Sequence, residues 1–402
     1  MNIRINKGMA KGSITAPPSK SMAHRLLICA ALASGVSTVR GISACEDVKA
    51  TLDCLSAFGI EYKTDGCDVT VSGKRPSEII PRSPLFCRES GSTLRFLIPI
   101  AMASGHTAVF YGEGGLMARP MNVYEKLFCE KGLTYISDGE SIVVKGPVSG
   151  GEYSLPGNVS SQFISGLLFV LPTLQNDSII KIAPPIESRS YIDLTISALK
   201  SFGVICEWSD EYTIKIKGGQ TYAATTVSVE GDYSGAAFPD SLNLFGSEIS
   251  VTGLNPDSIQ GDKVYKKYFD MLKCGTPNIH IGDCPDLGPI LFAVAAAKHG
   301  GIFTGTKRLK IKESDRAAAM AAELQKFGTS VSIYDDTVVI YPADFHSPHE
   351  PLSGHNDHRI VMALSVLLTL TGGELYGAEA VSKSYPEFFT GLKTLGIEVT
   401  EI

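Results

Sequence analysis

The strongest constraint on how this chain can fold is a pattern that recurs six times along it. Each copy opens on a cluster of small and polar residues. An apolar stretch of helical length follows, then a Gly-containing turn and a β-rich run. The openings are Pro17-Pro18-Ser19-Lys20-Ser21, Arg88-Glu89-Ser90-Gly91-Ser92, Gly157-Asn158-Val159-Ser160-Ser161-Gln162, Glu230-Gly231-Asp232-Tyr233-Ser234, Gly282-Asp283-Cys284-Pro285-Asp286 and Gly354-His355-Asn356-Asp357-His358-Arg359. Each sets Ser, Asp or Asn beside the start of an apolar run (24–33, 94–103 and 163–171 are the clearest), as a helix N-terminus requires. Between copies lie amphipathic helix candidates ending in Gly, such as 51–58 before Gly59 and 317–327 before Gly328. The stretches 61–72, 134–145, 204–217 and 330–341 read as paired strands. A spacing of about 70 residues makes each copy a βαβαβ-type block, larger than a solenoid repeat. The fourth interval is shorter, and a strand pair is missing from it after Lys273. At 402 residues the chain is too long for one ordinary core, and two domains of roughly 200 residues are expected.

Helix N-termini that face one place build a positive field from aligned dipoles and free N–H groups, which suits anions. Basic residues stand at or near the repeat units: Lys20, Arg25, Arg95, Arg119, Lys312, Arg316, Arg359 and Lys383. Taken singly, each reads as a solvated surface charge; as a set they suggest a focused anion site, where arginine suits carboxylate or phosphate. The net charge of −6 leaves no excess of cations for a general nucleic-acid or lipid-surface binder. Ser160-Ser161-Gln162 offers hydroxyls and an amide at a helix start. Asp286, just before Leu287-Gly288-Pro289, reads first as an N-cap. Glu313, in Lys312-Glu313-Ser314-Asp315-Arg316, reads first as surface pairing. Two carboxylates among cations are also the equipment of a general base and a general acid.

Other chemistries are not signalled. There is no Walker loop, no Gly-x-Gly-x-x-Gly opening a helix after a strand, and no Gly-x-Ser-x-Gly elbow. The nine cysteines are scattered without a Cys-x-x-Cys pair, which reads as free thiols in a reducing compartment. His346, His349, His355 and His358 lack a zinc-type pattern, and no metal is expected. The N-terminal residues show no signal-peptide core, and apolar runs such as 360–370 fall short of the ~18 residues of a membrane span. The expected compartment is the cytoplasm.

Several motifs, in order along essentially the whole chain, resemble the 5-enolpyruvylshikimate-3-phosphate (EPSP) synthase family. They are Pro18-Ser19-Lys20-Ser21 with Arg25, Glu89-Ser90-Gly91-Ser92-Thr93-Leu94-Arg95, Ala118-Arg119-Pro120, Ser160-Ser161-Gln162-Phe163 and Ser188-Arg189-Ser190-Tyr191-Ile192-Asp193. The series continues with Glu230-Gly231-Asp232, Cys284-Pro285-Asp286, Lys312-Glu313-Ser314-Asp315-Arg316, Asn356-Asp357-His358-Arg359 and Lys383-Ser384-Tyr385-Pro386. The resemblance implies an α/β fold of two domains, each an inverse α/β barrel of three βαβαββ units, with one unit shortened here. One domain would be 18–228. Residues 1–17 would join 229–402 in the other, and a cleft would close around the substrates.

The resemblance also implies roles. Lys20, Ser21 and Arg25 would meet 3-phosphoshikimate, with Lys20 also near phosphoenolpyruvate. Ser160, Ser161 and Ser188 would hold the 3-phosphate, Tyr191 would flank the substrate and Gln162 would lie over the ring. Gly91, Arg119, Arg316, Arg359 and Lys383 would hold phosphoenolpyruvate, and Lys312 the shikimate side. Asp286 would take the proton of the attacking 5-hydroxyl and Glu313 would protonate the methylene carbon. No metal or organic cofactor is required, no nucleic acid or membrane partner is implied, and a monomer is expected. Three positions depart from the family pattern: Glu89 and Arg308 stand where many members have Asn, and Phe96 where Pro is frequent.

Alternatives remain. The related UDP-N-acetylglucosamine enolpyruvyl transferases carry a loop cysteine before the Arg-Pro pair; here 112–120 contains none. An RNA 3′-phosphate cyclase-like protein would need a basic surface. A repeat scaffold without catalysis would leave the acid and base without purpose.

Overall fold

The computed structural model describes all residues, Met1–Ile402. Contacts divide the chain into two compact units, Pro18–Glu230 and a composite unit made of Met1–Pro17 with Gly231–Ile402.

The 18–230 unit holds helices α1 (Lys20–Leu32), α2 (Glu46–Ala57), α3 (Gly91–Ala103), α4 (Asn122–Glu130), α5 (Ser161–Val170) and α6 (Arg189–Ser201). They alternate in character. α1, α3 and α5 are apolar nearly all round and buried along most of their length, as a helix must be when it has no polar face to show to water. α2, α4 and α6 bury one side only. Each repeat opening caps its buried helix: the side chains of Ser19, Ser90 and Ser160 accept bonds from the N–H groups of Met22, Thr93 and Gln162.

Three mixed sheets complete this unit, and each follows one rule. Strand 107–111 lies parallel to 85–86 across α3, and antiparallel to the second strand of the hairpin 134–137/141–145. Strand 178–183 relates to 151–156 and to the hairpin 206–210/213–216 in the same way. In the remaining sheet, 33–40 pairs with the hairpin 61–65/68–73, and its parallel partners, 222–223 and 226–228, come from the far end of the unit. A four-strand order joins through parallel pairing only where a helix crosses over.

One detail fixes α3 and α5. Pro99 lies inside α3 and has no N–H for the Arg95 carbonyl, which would otherwise lose its helical partner. The Tyr124 hydroxyl takes that place, at 2.9 Å from both Arg95 O and Phe163 O. The approach depends on Gly166, where a Cβ would sit 2.2 Å from the Tyr124 hydroxyl and 2.5 Å from Arg95 O.

The composite unit holds α7 (Tyr233–Ser241), α8 (Tyr265–Cys274), α9 (Gly288–Ala297), α10 (Arg316–Gln325), α11 (His358–Thr371) and α12 (Phe388–Thr394). Here α7, α9 and α11 are the buried ones. Strands 278–280, 301–304, 337–340 and 331–333 repeat the four-strand rule. So does the sheet of 352–353, 373–376, 2–5 and 399–401, with the N-terminal strand in the third place. The last sheet has two strands only, 11–15 parallel to 248–252. Its hairpin is absent: α8 is followed directly by strand 278–280. That is the deficit expected after Lys273. No sheet closes on itself, and no helix is long and apolar enough to cross a membrane.

Candidate functional site

In the 18–230 unit the motif residues gather at helix starts. Lys20 and Ser21 open α1, Gly91 opens α3, Ser160 caps α5 with Ser161 and Gln162 next, and Ser188 precedes α6. Ser188 sits at φ 58°, a left-handed conformation that non-glycine residues seldom adopt. Strain of this kind collects at functional sites.

The side chains form a bonded set. Lys20 Nζ donates to Asp47 on α2 at 2.6 Å. Gln162 receives Arg95 Nη1 on its Oε1 at 2.7 Å and donates from Nε2 to Ser92 at 2.9 Å. These two bonds settle which way its amide points. At Gly91 an added Cβ would lie 3.0 Å from Arg119 Nη1 and 3.3 Å from Arg95 Nη1. Two guanidinium groups therefore converge on the open face of that glycine.

Arg25 is placed differently from a simple substrate contact. It is 2% exposed. Its Nε donates to Thr195 at 2.8 Å, Nη1 to the Ser21 carbonyl at 2.6 Å and Nη2 to the Tyr191 carbonyl at 2.9 Å. Phe96 lies beneath the guanidinium, 5.1 Å from ring centre. Burial lowers its pKa to about 10, so it stays cationic at neutral pH. Arg25 ties α1 to α6 and orients Ser21 and Tyr191 through their carbonyls.

The composite unit carries a denser charge cluster. Arg316, first residue of α10, is 1% exposed and touches three carboxylates. Its Nε donates to Asp357 at 2.8 Å, Nη1 to Asp286 at 2.8 Å and Nη2 to Glu313 at 2.7 Å. Burial alone would lower its pKa, but Asp357, Glu313 and Asp286 together raise it. Asp286 also receives Lys312 Nζ at 3.2 Å and Arg359 Nη2 at 2.9 Å. Arg359 Nη2 further reaches Ser234 at 3.0 Å. Lys383 donates to both the carbonyl and the side-chain oxygen of Asn356 at 2.7 Å.

Asp286 is not a helix cap. It lies in a one-turn segment before α9, whose start has no side-chain cap bond. Its carboxylate turns to the cations instead. Glu313 does not form a solvated surface pair either, because its partner is the buried Arg316. Lys312 is pulled down to about 8, first by burial and then by the cations Arg316 and Arg308, against the opposing effect of Asp286.

Four residues of these clusters were not singled out in the sequence. Asp47 holds Lys20, Asp357 holds Arg316, Asn356 holds Lys383 and Ser234 meets Arg359. Three of them sit inside repeat openings, and that position was the available signal. Asp47 had none. Arg308 is buried and its Nη1 reaches the Gly282 carbonyl at 3.5 Å. His346 and His349 stack with ring centres 5.3 Å apart, and no group of three or more His, Cys, Asp or Glu gathers as metal ligands would.

Fold and clusters together define a class: an α/β protein of six repeated units, with hydroxyl, amide and cationic groups at helix starts and several carboxylates bonded to one buried arginine. The family model for EPSP synthase (3-phosphoshikimate 1-carboxyvinyltransferase) matches residues 6–392. The 3-phosphoshikimate 1-carboxyvinyltransferase of Clostridium acetobutylicum is 41% identical over 421 aligned positions, covering 99% of this chain and 98% of the relative. That of Clostridium kluyveri is 38% identical, with the same coverage of each. The crystal structure of EPSP synthase from Acinetobacter baumannii shares the fold, with a TM-score of 0.80 at 23% identity over the full length of both chains. This chain belongs to the EPSP synthase family, whose members move the enolpyruvyl group of phosphoenolpyruvate onto 3-phosphoshikimate in aromatic amino-acid biosynthesis.

Proposed function

We propose that this chain catalyses that transfer with Asp286 as base and Glu313 as acid, through addition and then elimination. The observation that carries the assignment is the pair of carboxylates bonded to one buried guanidinium, Arg316, at 2.8 and 2.7 Å. Without substrate, Arg316, Arg359 and Lys312 are occupied by protein carboxylates. A phosphate or carboxylate of phosphoenolpyruvate arriving at Arg316, Arg359 and Lys383 competes for those donors. Asp286 then loses cationic partners and becomes a better base, while Glu313, no longer fixed as an anion, can carry a proton.

The steps balance. Asp286 takes the 5-hydroxyl proton as that oxygen bonds to the central carbon of phosphoenolpyruvate, and Glu313 protonates the methylene carbon. In elimination the Glu313 carboxylate, having given up its proton, takes one back from the new methyl group as the bond from carbon to the phosphate oxygen breaks, its electron pair leaving with phosphate and giving the enolpyruvyl ether. Gly91 and Arg119 serve phosphoenolpyruvate in the 18–230 unit, and Lys20 meets 3-phosphoshikimate and lies near phosphoenolpyruvate as well. Ser21, Arg25, Ser160, Ser161, Gln162, Ser188 and Tyr191 serve 3-phosphoshikimate, together with Lys312. The donors are positioned before charge develops, which is the main source of electrostatic catalysis. Action as a cytoplasmic monomer is part of the same proposal and follows from the family the chain belongs to.

The test is phosphate release. Purified protein releases phosphate from phosphoenolpyruvate only when 3-phosphoshikimate is present, and shikimate without its phosphate does not substitute. Folded protein that releases none with both substrates would overturn the reading.

A further inference from the structure

The 18–230 unit contains a buried polar chain that the reaction as described does not use. His24 Nδ1 lies 2.7 Å from the Thr51 hydroxyl, which lies 2.7 Å from the Thr93 hydroxyl. Thr93 donates to the Ser90 hydroxyl at 2.8 Å. All four residues are 0% exposed. The chain links α1, α2 and the cap of α3.

We propose that His24 is a positioning residue of the transfer, and that the relay from His24 through Thr51 and Thr93 to Ser90 sets the register of α1, α2 and α3. The inference rests on the assignment of Lys20 and Gly91 to phosphoenolpyruvate.

Two observations support it. First, the relay is one of two rungs between α1 and α2. Lys20 meets Asp47, and His24 meets Thr51; both pairs are 27 positions apart. On each helix the two members are four residues apart, about one turn. A slip of one residue, about 1.5 Å, breaks both rungs at once. The buried rung thus holds the other, which carries Lys20.

Second, the relay has a direction. The acceptors open to Thr93 are Ser90 Oγ and, more distantly, the Asp47 carbonyl at 3.5 Å. Both draw its proton away from Thr51. Thr93 then accepts from Thr51, and Thr51 from the Nδ1–H of His24. Nε2 is left as a bare lone pair without a partner. This requires a neutral ring, and burial, followed by the nearby Lys20 and Arg25, keeps His24 well below its usual pKa. Valine and leucine could fill the same space without desolvating hydroxyls. The polar chain supplies direction, which matters where Ser90 fixes the first turn of α3 and with it Gly91.

The experiment compares four variants in steady-state kinetics and thermal melting. Thr51→Val lowers kcat/KM for phosphoenolpyruvate about tenfold and lowers the melting temperature. Thr51→Ser keeps the hydroxyl and restores both. The triple variant His24→Leu, Thr51→Val, Thr93→Val removes the whole chain, so stability recovers while kcat/KM for phosphoenolpyruvate stays low. Recovery of activity together with stability would overturn the proposal, as would wild-type kcat/KM in Thr51→Val. If the triple variant does not fold, the contrast between Thr51→Val and Thr51→Ser decides alone. Lys20→Met tests the underlying assignment separately: an unchanged KM for phosphoenolpyruvate there would refute the role of Lys20, whatever the relay variants do.

Discussion

The two units use the same helix–strand repeat for different electrostatic work. In the 18–230 unit the candidate site is rich in cations: Lys20, Arg25, Arg95 and Arg119 stand among the hydroxyls of Ser160, Ser161 and Ser188 and the amide of Gln162, and a carboxylate, Asp47, is bonded to Lys20. In the composite unit three carboxylates and three cations interlock around Arg316, Asp286 and Arg359. In the proposed reaction the first arrangement recognises phosphate, and the second holds opposed charges that are redistributed when an anion enters. On that proposal one repeat yields a binding face and a reacting face.

The sharpest way to break this contrast is to neutralise the reacting carboxylates. Asp286→Asn and Glu313→Gln each lower turnover by about 10²-fold or more, measured as phosphate release, while both substrates still bind by fluorescence titration. Near-normal turnover in either would remove its role. Next in size is the effect on stability. Arg316→Met leaves Asp357, Asp286 and Glu313 without their shared buried cation and costs about 3–5 kcal/mol, read by urea unfolding. Ser161→Ala in the 18–230 unit raises KM for 3-phosphoshikimate with little change in stability; equal losses of stability in the two would erase the distinction.

A smaller effect is expected with pH. Lys312 is held at about 8, below the ordinary lysine value of 10.5, chiefly by burial. Binding an anion requires its charged form. Affinity for 3-phosphoshikimate is therefore full below pH 8 and falls as pH rises through that value, with a proton taken up on binding. For folding the sign is opposite: the unfolded chain holds the proton more tightly, so this group's contribution to stability improves as pH rises from about 8 to the unfolded value. Lys312→Arg abolishes the pH dependence of binding, and calorimetry in buffers of different ionisation enthalpy measures the proton.

Much of this was legible in the sequence where local chemistry decides it. Ser19, Ser90, Ser160, Asp232 and Asp357 cap their helices because a short acceptor side chain before an apolar run has few other uses. The missing strand pair showed in the spacing alone. The partners of Asp286 were not legible. Lys312, Arg316 and Arg359 lie 26, 30 and 73 positions away, while the nearby Pro289 pointed to a cap. Nor could the sequence disclose that Tyr124 mends the bond Pro99 breaks, since that depends on how closely α4, α3 and α5 approach.

The terminal strands have a consequence for synthesis. Residues 2–5 and 11–15 are made before the 18–230 unit, yet their neighbours are 373–376, 399–401 and 248–252. The 18–230 unit has all its strands in hand before any of these appears. During translation strand 2–5 waits without its sheet partners through the making of one whole unit and most of another, while strand 11–15 waits little longer than the first unit takes. The composite unit, which carries the proposed base and acid, is consequently the later one to mature, and a stalled ribosome would leave the 18–230 unit without them.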